Sequence, residues 1–352
     1  MTRVIATIGP AIFDREPLEQ VIKAGVSAIR FSASKFSRRK LTDLASLVVE
    51  VANDIGCEVE LMLDLPGTKT RLCNEEPIIL SGSDRLCINY GLAPVQLDRG
   101  VTYEVGLTGV DVRALIAVGD ILVIGDGEVA LLVESAGSDH CVAVPVEGRR
   151  LGRRKGVKVE GKTHPWESLS GLDVLALGEF ATLPFSSVLV SFVDTPQTIA
   201  RVRQLLADSF GGPACAPPVP VVAKVETRAG AKQAGAVAQA ADAVLLGRGD
   251  LLLDTGEVDF HAYCEMVLRA TRESGTPIIV GTQLISSLSG NWLPNRSELG
   301  YLSRLIEEGV DGLLLAGETT LGPCPVRAVE LLTDLIEAYG KHDRGESLCR
   351  SR

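Results

Sequence analysis

Aromatic residues make up only 4% of this 352-residue chain, with two tryptophans, and there are only four histidines. A core so poor in rings has to be packed from Val, Leu, Ile and Ala. At 46% hydrophobic content the chain can bury one large domain and a smaller one. Positive charge is in deficit too, with 35 Lys and Arg against 45 Asp and Glu, a net charge of −10. That balance excludes a broad nucleic-acid face and confines any anion site to a local patch. No apolar run reaches membrane-spanning length, and the opening MTRVIATIGP lacks the charged and apolar regions of a signal peptide. The expectation is a cytoplasmic protein with neither a membrane nor a nucleic-acid partner. The eight cysteines, at 57, 73, 87, 141, 215, 264, 324 and 349, form no C-x-x-C pair, and no histidine sits at ligand spacing. They read as mostly buried thiols of a reducing compartment.

What the chain does contain is alternation. β-rich apolar runs at 3–8, 28–33, 59–65, 187–192, 219–226, 243–250, 277–283 and 311–318 alternate with amphipathic helical stretches such as 195–210, 259–275 and 296–309. The last two helical stretches end on glycine, a common helix stop. Eight such units predict the α/β class and a (β/α)8 TIM barrel, whose reactive side chains gather at the C-terminal ends of its strands. From 69 to 160 the helical period disappears, and short strands with turn signals (SGSD, INYGLAP, LDRG, IGDGEVALLV, ESAGSD) replace it. The reading is a barrel from 1–68 and 161–340, a small β-barrel lid inserted at 69–160 after the third strand, and a polar tail at 341–352.

Charged residues collect at one end of this barrel. Arg30 closes the second strand, Asp64 the third, Lys224 and Glu226 the fifth; Arg248 and Asp250 follow the sixth, and Thr282 and Gln283 close the seventh. Lys224 and Glu226 are two apart and share a face, and adjacent strands let Glu226 approach Asp250. Two carboxylates suit Mg²⁺ or Mn²⁺, and the surrounding cations suit a small phosphate or carboxylate substrate. Plainer readings stand beside this one. Lys224 with Glu226 could be a rim ion pair, and Asp250 a cap. IGDGEV, around Asp126, reads as a type I′ hairpin turn rather than a site. RRLGRRKG reads as a solvated loop, with Lys155 as a hinge residue able to reach a nucleotide. His140, His164, His261 and His342 read as structural or surface residues.

The residues also carry a resemblance. TRVIATIGPA, AGVSAIRFSASKFS, LMLDLPGTKTR, VGDILVIGDGEVAL, LGRRKGVKV, VVAKVETRAG, VLLGRGDLLLD, PIIVGTQLISSL, NWLPNRSE and DGLLLAGETTLGPCPVRAV follow one another as similar motifs do in pyruvate kinases. The chain resembles that family along almost its whole length. The resemblance implies Glu226 and Asp250 as ligands of a divalent ion, and Lys224 as the cation stabilising the transferring phosphoryl group and the enolate. It implies Thr282 near the enolate carbon for proton delivery, Arg30 and Arg71 beside phosphate and nucleotide, and the amides of Gly249 and Asp250 on the substrate carboxylate. Asp64 and Ser34 match ligands of a monovalent cation.

The departures from the family pattern matter as well. Ser32 stands in place of a cation-binding asparagine and Lys35 in place of a nucleotide-contacting histidine. Lys69 falls where potassium-dependent members carry glutamate, so an internal ammonium is expected to replace the bound cation. Ala316 replaces the serine of SGET. The chain ends soon after the eighth helix, so neither the family's C-terminal regulatory domain nor its sugar-phosphate control is expected, and the tetramer interface of a homo-oligomer would be reduced. The expected activity is transfer of phosphate from phosphoenolpyruvate to a nucleoside diphosphate, Mg-dependent and K-independent. The alternative is a barrel turned to another metal-dependent pyruvate-enolate reaction, an aldolase, lyase or phosphoenolpyruvate-using transferase. A ligand sensor is the third reading, opposed by the joint presence of Lys224, Glu226, Asp250 and Thr282.

Overall fold

The computed structural model describes residues 2–91 and 100–340. Eight parallel strands close into a barrel in chain order: β1 (Arg3–Thr7), β2 (Val26–Ser32), β3 (Glu60–Leu65), β4 (Ser187–Val190), β5 (Val221–Val225), β6 (Ala243–Gly247), β7 (Ile278–Gly281) and β8 (Gly312–Leu314), with β8 returning to β1. Each strand gives one side chain to an apolar layer inside the barrel: Ile5, Ala28, Met62, Leu189, Val222, Leu245, Ile279 and Leu314. Because strand side chains alternate, the positions two further along face the same interior. These are Thr7, Arg30, Asp64, Ser191, Lys224, Gly247, Gly281 and Ala316. The interior therefore turns from apolar to polar over one step toward the C-terminal mouth. The outward faces pack under the helices in a second, larger core of Val, Leu, Ile and Ala.

Helices Pro196–Ser209, Phe260–Ser274 and Arg296–Glu308 lie close to the expected stretches, and Gly275 and Gly309, at φ 69° and 84°, end the last two in the left-handed conformation. Every strand but β3 ends before its apolar run does, and at β6, β7 and β8 the cause is local. β6 stops at Gly247, and Arg248 to Asp250 form the first turn of helix Arg248–Thr255, where an acidic side chain is favoured by the free amides. β7 stops at Gly281 because Thr282 and Gln283 take φ of 74° and 50°, which no strand can hold. β8 gives way at Leu314 to the short helix Gly317–Thr320.

Between β3 and β4 the chain builds a seven-stranded sheet running from Arg71–Leu72 at one edge to Val157–Val159 at the other. A bridge between Arg71 and Gly156 brings those edges together, so this sheet nearly closes around its own core of Leu86, Ile88, Val105, Leu122, Leu131 and Val157. The two chain crossings between the bodies are paired to each other, Thr68 N–H donating to Glu167 O at 2.8 Å. IGDGEV is indeed a hairpin, but its last strand pair is Ile124 with Val129, leaving a four-residue loop rather than a two-residue type I′ turn. Gly125 and Gly127, at φ 70° and 98°, supply its bends. Parts of INYGLAP and LDRG, and the tail with His342 and Cys349, lie outside the described residues. Among the described residues no helix is long and apolar enough to cross a membrane.

Candidate active site

The polar layer at the barrel mouth is organised around Lys224. Its ammonium donates to Asp64 Oδ1 at 2.8 Å and to Ser191 Oγ at 2.6 Å, with Glu226 Oε1 at 3.7 Å. All are buried. Burial works against the charge on Lys224, but Asp64 and Glu226 more than offset it, and the ammonium is held above its ordinary range. For Glu226, burial and the neighbouring Asp250 and Asp64 push the carboxyl up against the pull of Lys224. Glu226 is fixed from behind by the amide of Phe192, which donates to Oε2 at 3.1 Å. Phe192 reaches it by adopting φ 51°. On the other side, a Cβ at Gly247 would stand 2.6 Å from Glu226 Oε1, so the end of β6 is open only because it is glycine.

Asp250 sits beside this group in the first turn of helix Arg248–Thr255, whose early amides have no intrahelical acceptor. Burial would raise its carboxyl; the ammonium of Lys69, which bonds Oδ1 directly, with Lys224 and Lys158 farther off, brings it below the ordinary range instead. Gly249 faces Thr282, and a Cβ there would lie 2.9 Å from the threonine methyl. The left-handed turn that carries Thr282 is clamped by Arg248, whose guanidinium donates to the carbonyls of Gly281 (3.1 Å), Thr282 and Gln283 (2.9 Å) and lies 4.8 Å from the centre of the Tyr301 ring. Strained backbone persists where its surroundings enforce it, and this clamp is such an enforcement.

A ring of cations surrounds the mouth. Arg30 is mostly buried, lies 4.0 Å from Asp64, and its Nε has no hydrogen-bond partner. Lys35 follows β2, and burial, then the nearby Arg30, Arg71 and Lys155, hold its ammonium below the usual range. Arg71 and Lys155 come from the inserted domain; Arg71 Nη1 donates to Arg154 O at 3.3 Å, and Lys155 pairs with Glu128. Asp126, read above as part of a turn, reaches the mouth: a Cβ on Gly249 would lie 3.9 Å from its Oδ1. Burial and the charges of Asp250 and Glu128 raise its carboxyl despite Lys69.

Two placements bear on the reading of Asp64, Ser34 and Lys69. Ser34 Oγ lies 3.3 Å from Ser32 Oγ, and Asp64 Oδ1 is engaged by Lys224. Lys69 bonds Asp250, and its stem passes over Gly156, where a Cβ would be 2.6 Å from Lys69 Cε. Among the described residues no cluster of three or more His, Cys, Asp or Glu side chains is arranged to hold a metal. Glu226 and Asp250 alone fit an ion that completes its shell with water and substrate oxygens, as Mg²⁺ does.

Residues 1–329 match the family model described as the barrel domain of pyruvate kinase. The chain belongs to the pyruvate kinase family. It is 28% identical over 340 residues to the pyruvate kinase of Aeropyrum pernix, covering 96% of this chain and 71% of that protein. It is 29% identical over 344 residues to that of Mycobacterium tuberculosis, covering 95% and 69%. The fold is similar to the crystal structure of a pyruvate kinase from Cryptosporidium parvum, with a TM-score of 0.77 at 22% identity over 95% of this chain and 68% of that one. As a member of the pyruvate kinase family the protein is an enzyme. Ser191, Phe192 and Trp166 were not singled out from the sequence; they contribute a hydroxyl on the inner face, a left-handed amide and a ring beside Lys69. Of these three, Ser191, two positions beyond inward-facing Leu189, carried a readable signal. Arg248, expected among the charges at the strand ends, serves as a carbonyl clamp.

Proposed function

We propose that the protein transfers the phosphoryl group of phosphoenolpyruvate to a nucleoside diphosphate, with a divalent ion and without a requirement for K⁺. The observation that carries this reading is the buried ammonium of Lys224 beside the unpartnered Nε of Arg30, two donors held against the buried carboxylates Asp64 and Glu226. Phosphoryl transfer depends on positioning and charge neutralisation rather than on covalent help. The phosphorus–oxygen bond to the enol oxygen breaks, its electron pair stays on that oxygen, and the diphosphate oxygen takes the phosphoryl group. Lys224 faces the charge that develops on these oxygens, and Arg30 and Arg71 hold the phosphate. The first-turn amides of Gly249 and Asp250 bind the substrate carboxylate. Thr282 stands at the enolate carbon, where a proton completes pyruvate. Lys35 and Lys155 face the nucleotide phosphates. Glu226 and Asp250 would hold Mg²⁺ or Mn²⁺, which when bound supplies positive charge to phosphate and enolate oxygens.

Local charge supports the reading without K⁺. Lys224 and Arg30 face Asp64 and Glu226, and Lys69 brings a third ammonium to the mouth, so the protein's own cations supply positive charge there without a monovalent ion. The test is an assay with phosphoenolpyruvate, Mg²⁺ and each nucleoside diphosphate in turn, in K⁺ and in a bulky organic cation, recording pyruvate and triphosphate separately. Equal amounts of both products in either salt are expected. Pyruvate without triphosphate would favour the other reading, enolate chemistry with a different acceptor, which the replacement of the family's histidine by Lys35 makes the natural second choice.

A further inference from the structure

The seam between the two bodies holds an unusual pairing of charges. Helix Arg248–Thr255 presents Asp250 and Asp254, one turn apart, and each receives a lysine from the inserted segment. Lys158 Nζ bonds Asp254 Oδ1 at 2.9 Å, and Lys69 Nζ bonds Asp250 Oδ1. Both ammoniums lie against one ring, Lys158 at 4.9 Å and Lys69 at 5.2 Å from the centre of Trp166.

The two pairs differ in what surrounds them. Lys158 and Asp254 are 1% and 2% exposed, and the second oxygen of Asp254 accepts the Arg228 amide at 2.7 Å, so this pair is closed. Lys69 and Asp250 are 10% and 20% exposed and open toward the barrel mouth. Asp250 is also one of the two carboxylates suited to a divalent ion. An ammonium and a divalent cation on the same carboxylate oxygen repel each other. The stem of Lys69 passes close over Gly156 on its way to this contact, with a Cβ there falling 2.6 Å from Lys69 Cε.

We propose that Lys69 is a built-in competitor for the divalent-ion site: its ammonium bonds the carboxylate oxygen that the ion needs, and it leaves Asp250 when the ion binds. Lys158–Asp254 stays closed as the fixed point of the seam. The inference rests on the reading that Glu226 and Asp250 hold the ion. Its consequence is a divalent-ion affinity kept low until substrate oxygens join the shell, and a change at Trp166 whenever the ion enters.

The test uses the full chain with Trp292→Phe, which leaves Trp166 as the sole tryptophan, titrated with Mn²⁺ alone and followed by electron paramagnetic resonance and by fluorescence. Lys69→Gln and Lys69→Met are expected to bind Mn²⁺ roughly fivefold to tenfold more tightly, the release of one partly exposed ion pair near a divalent charge. In the parent, Mn²⁺ is expected to shift Trp166 emission as the ammonium leaves the ring; in both variants the shift is absent. Lys155→Gln, which removes a different cation at the mouth, is expected to change affinity less than twofold or so by the same electrostatic reasoning. Equal affinity in parent and Lys69 variants, or a gain matched by Lys155→Gln, would overturn the inference. Binding that persists when Glu226→Gln is added would overturn the ion assignment itself, and so would no binding in any protein; the inference falls with either.

Discussion

Lys224 and Lys158 are both buried ammoniums, yet their surroundings drive them in opposite directions. Lys224 is held above its ordinary range because two carboxylates, Asp64 and Glu226, outweigh the loss of water. Lys158 is lowered because burial, with the nearby Lys69, outweighs its partner Asp254 and the more distant Asp250. The Lys224 ammonium at the barrel mouth is thus kept charged among several polar partners, whereas the Lys158 ammonium at the seam is closed off with its one partner. The first arrangement suits chemistry on an anion, and the second fixes two bodies against each other.

The largest effect expected from breaking this contrast is on turnover. Lys224→Met should lower phosphoryl transfer by about a thousandfold or more, the loss of a fixed charge acting on the transition state, while Mn²⁺ binding persists. Steady-state kinetics with a parallel binding titration would check both parts. Lys158→Met should instead leave Asp254 unpaired in the seam and lower stability by about 3–5 kcal/mol, read as a drop in the denaturation midpoint. Next in size is a pH effect at His164. Its Nε2 accepts the Val159 amide at 2.9 Å, and burial, with the nearby Lys158 ammonium, lowers its pKa to about 4. The unfolded chain therefore takes up this proton at higher pH than the folded one. The stability His164 contributes is full above about pH 6.5 and lost as pH falls toward 4, about 3 kcal/mol over that window. Denaturant midpoints from pH 7.5 to 4.5 should show a slope that His164→Gln flattens.

Arg248 sharpens the contrast from within the mouth. Its three carbonyl bonds hold the turn that carries Thr282, so Arg248→Met should reduce kcat by about tenfold to a hundredfold with KM little changed. Hydrogen exchange at the methyl carbon of pyruvate should fall in parallel, which a general loss of stability would not produce. Exchange of K⁺ for a bulky organic cation should have the smallest effect, less than about twofold, because the protein's own cations already supply positive charge at the mouth.

Much of this was legible along the chain because it depends on local pattern. The barrel strands are β-rich runs, and the Lys224–Glu226 spacing places both on one face. Helix ends at Gly275 and Gly309 were visible for the same reason. The rest depends on contacts the pattern does not encode. Lys69 meets Asp250 across 181 residues, passing over Gly156 on the way. Phe192, Thr282 and Gln283 take left-handed backbone conformations that their residue types do not signal, and the amide of Phe192 and the clamp of Arg248 follow from those conformations. Asp126 read as a turn residue because the hairpin is local, whereas its position over Gly249 comes from how the inserted domain meets the barrel.

The most direct test of the account compares two charge removals for both turnover and melting temperature: Lys224→Met, and the paired replacement Lys158→Met with Asp254→Asn, whose side-chain oxygen can still accept the Arg228 amide. The account predicts that the first is inactive and that the second, with no charge left unpaired in the seam, keeps both activity and stability near those of the parent. Retained turnover in Lys224→Met, or loss of turnover in a stably folded Lys158→Met/Asp254→Asn protein, would contradict it.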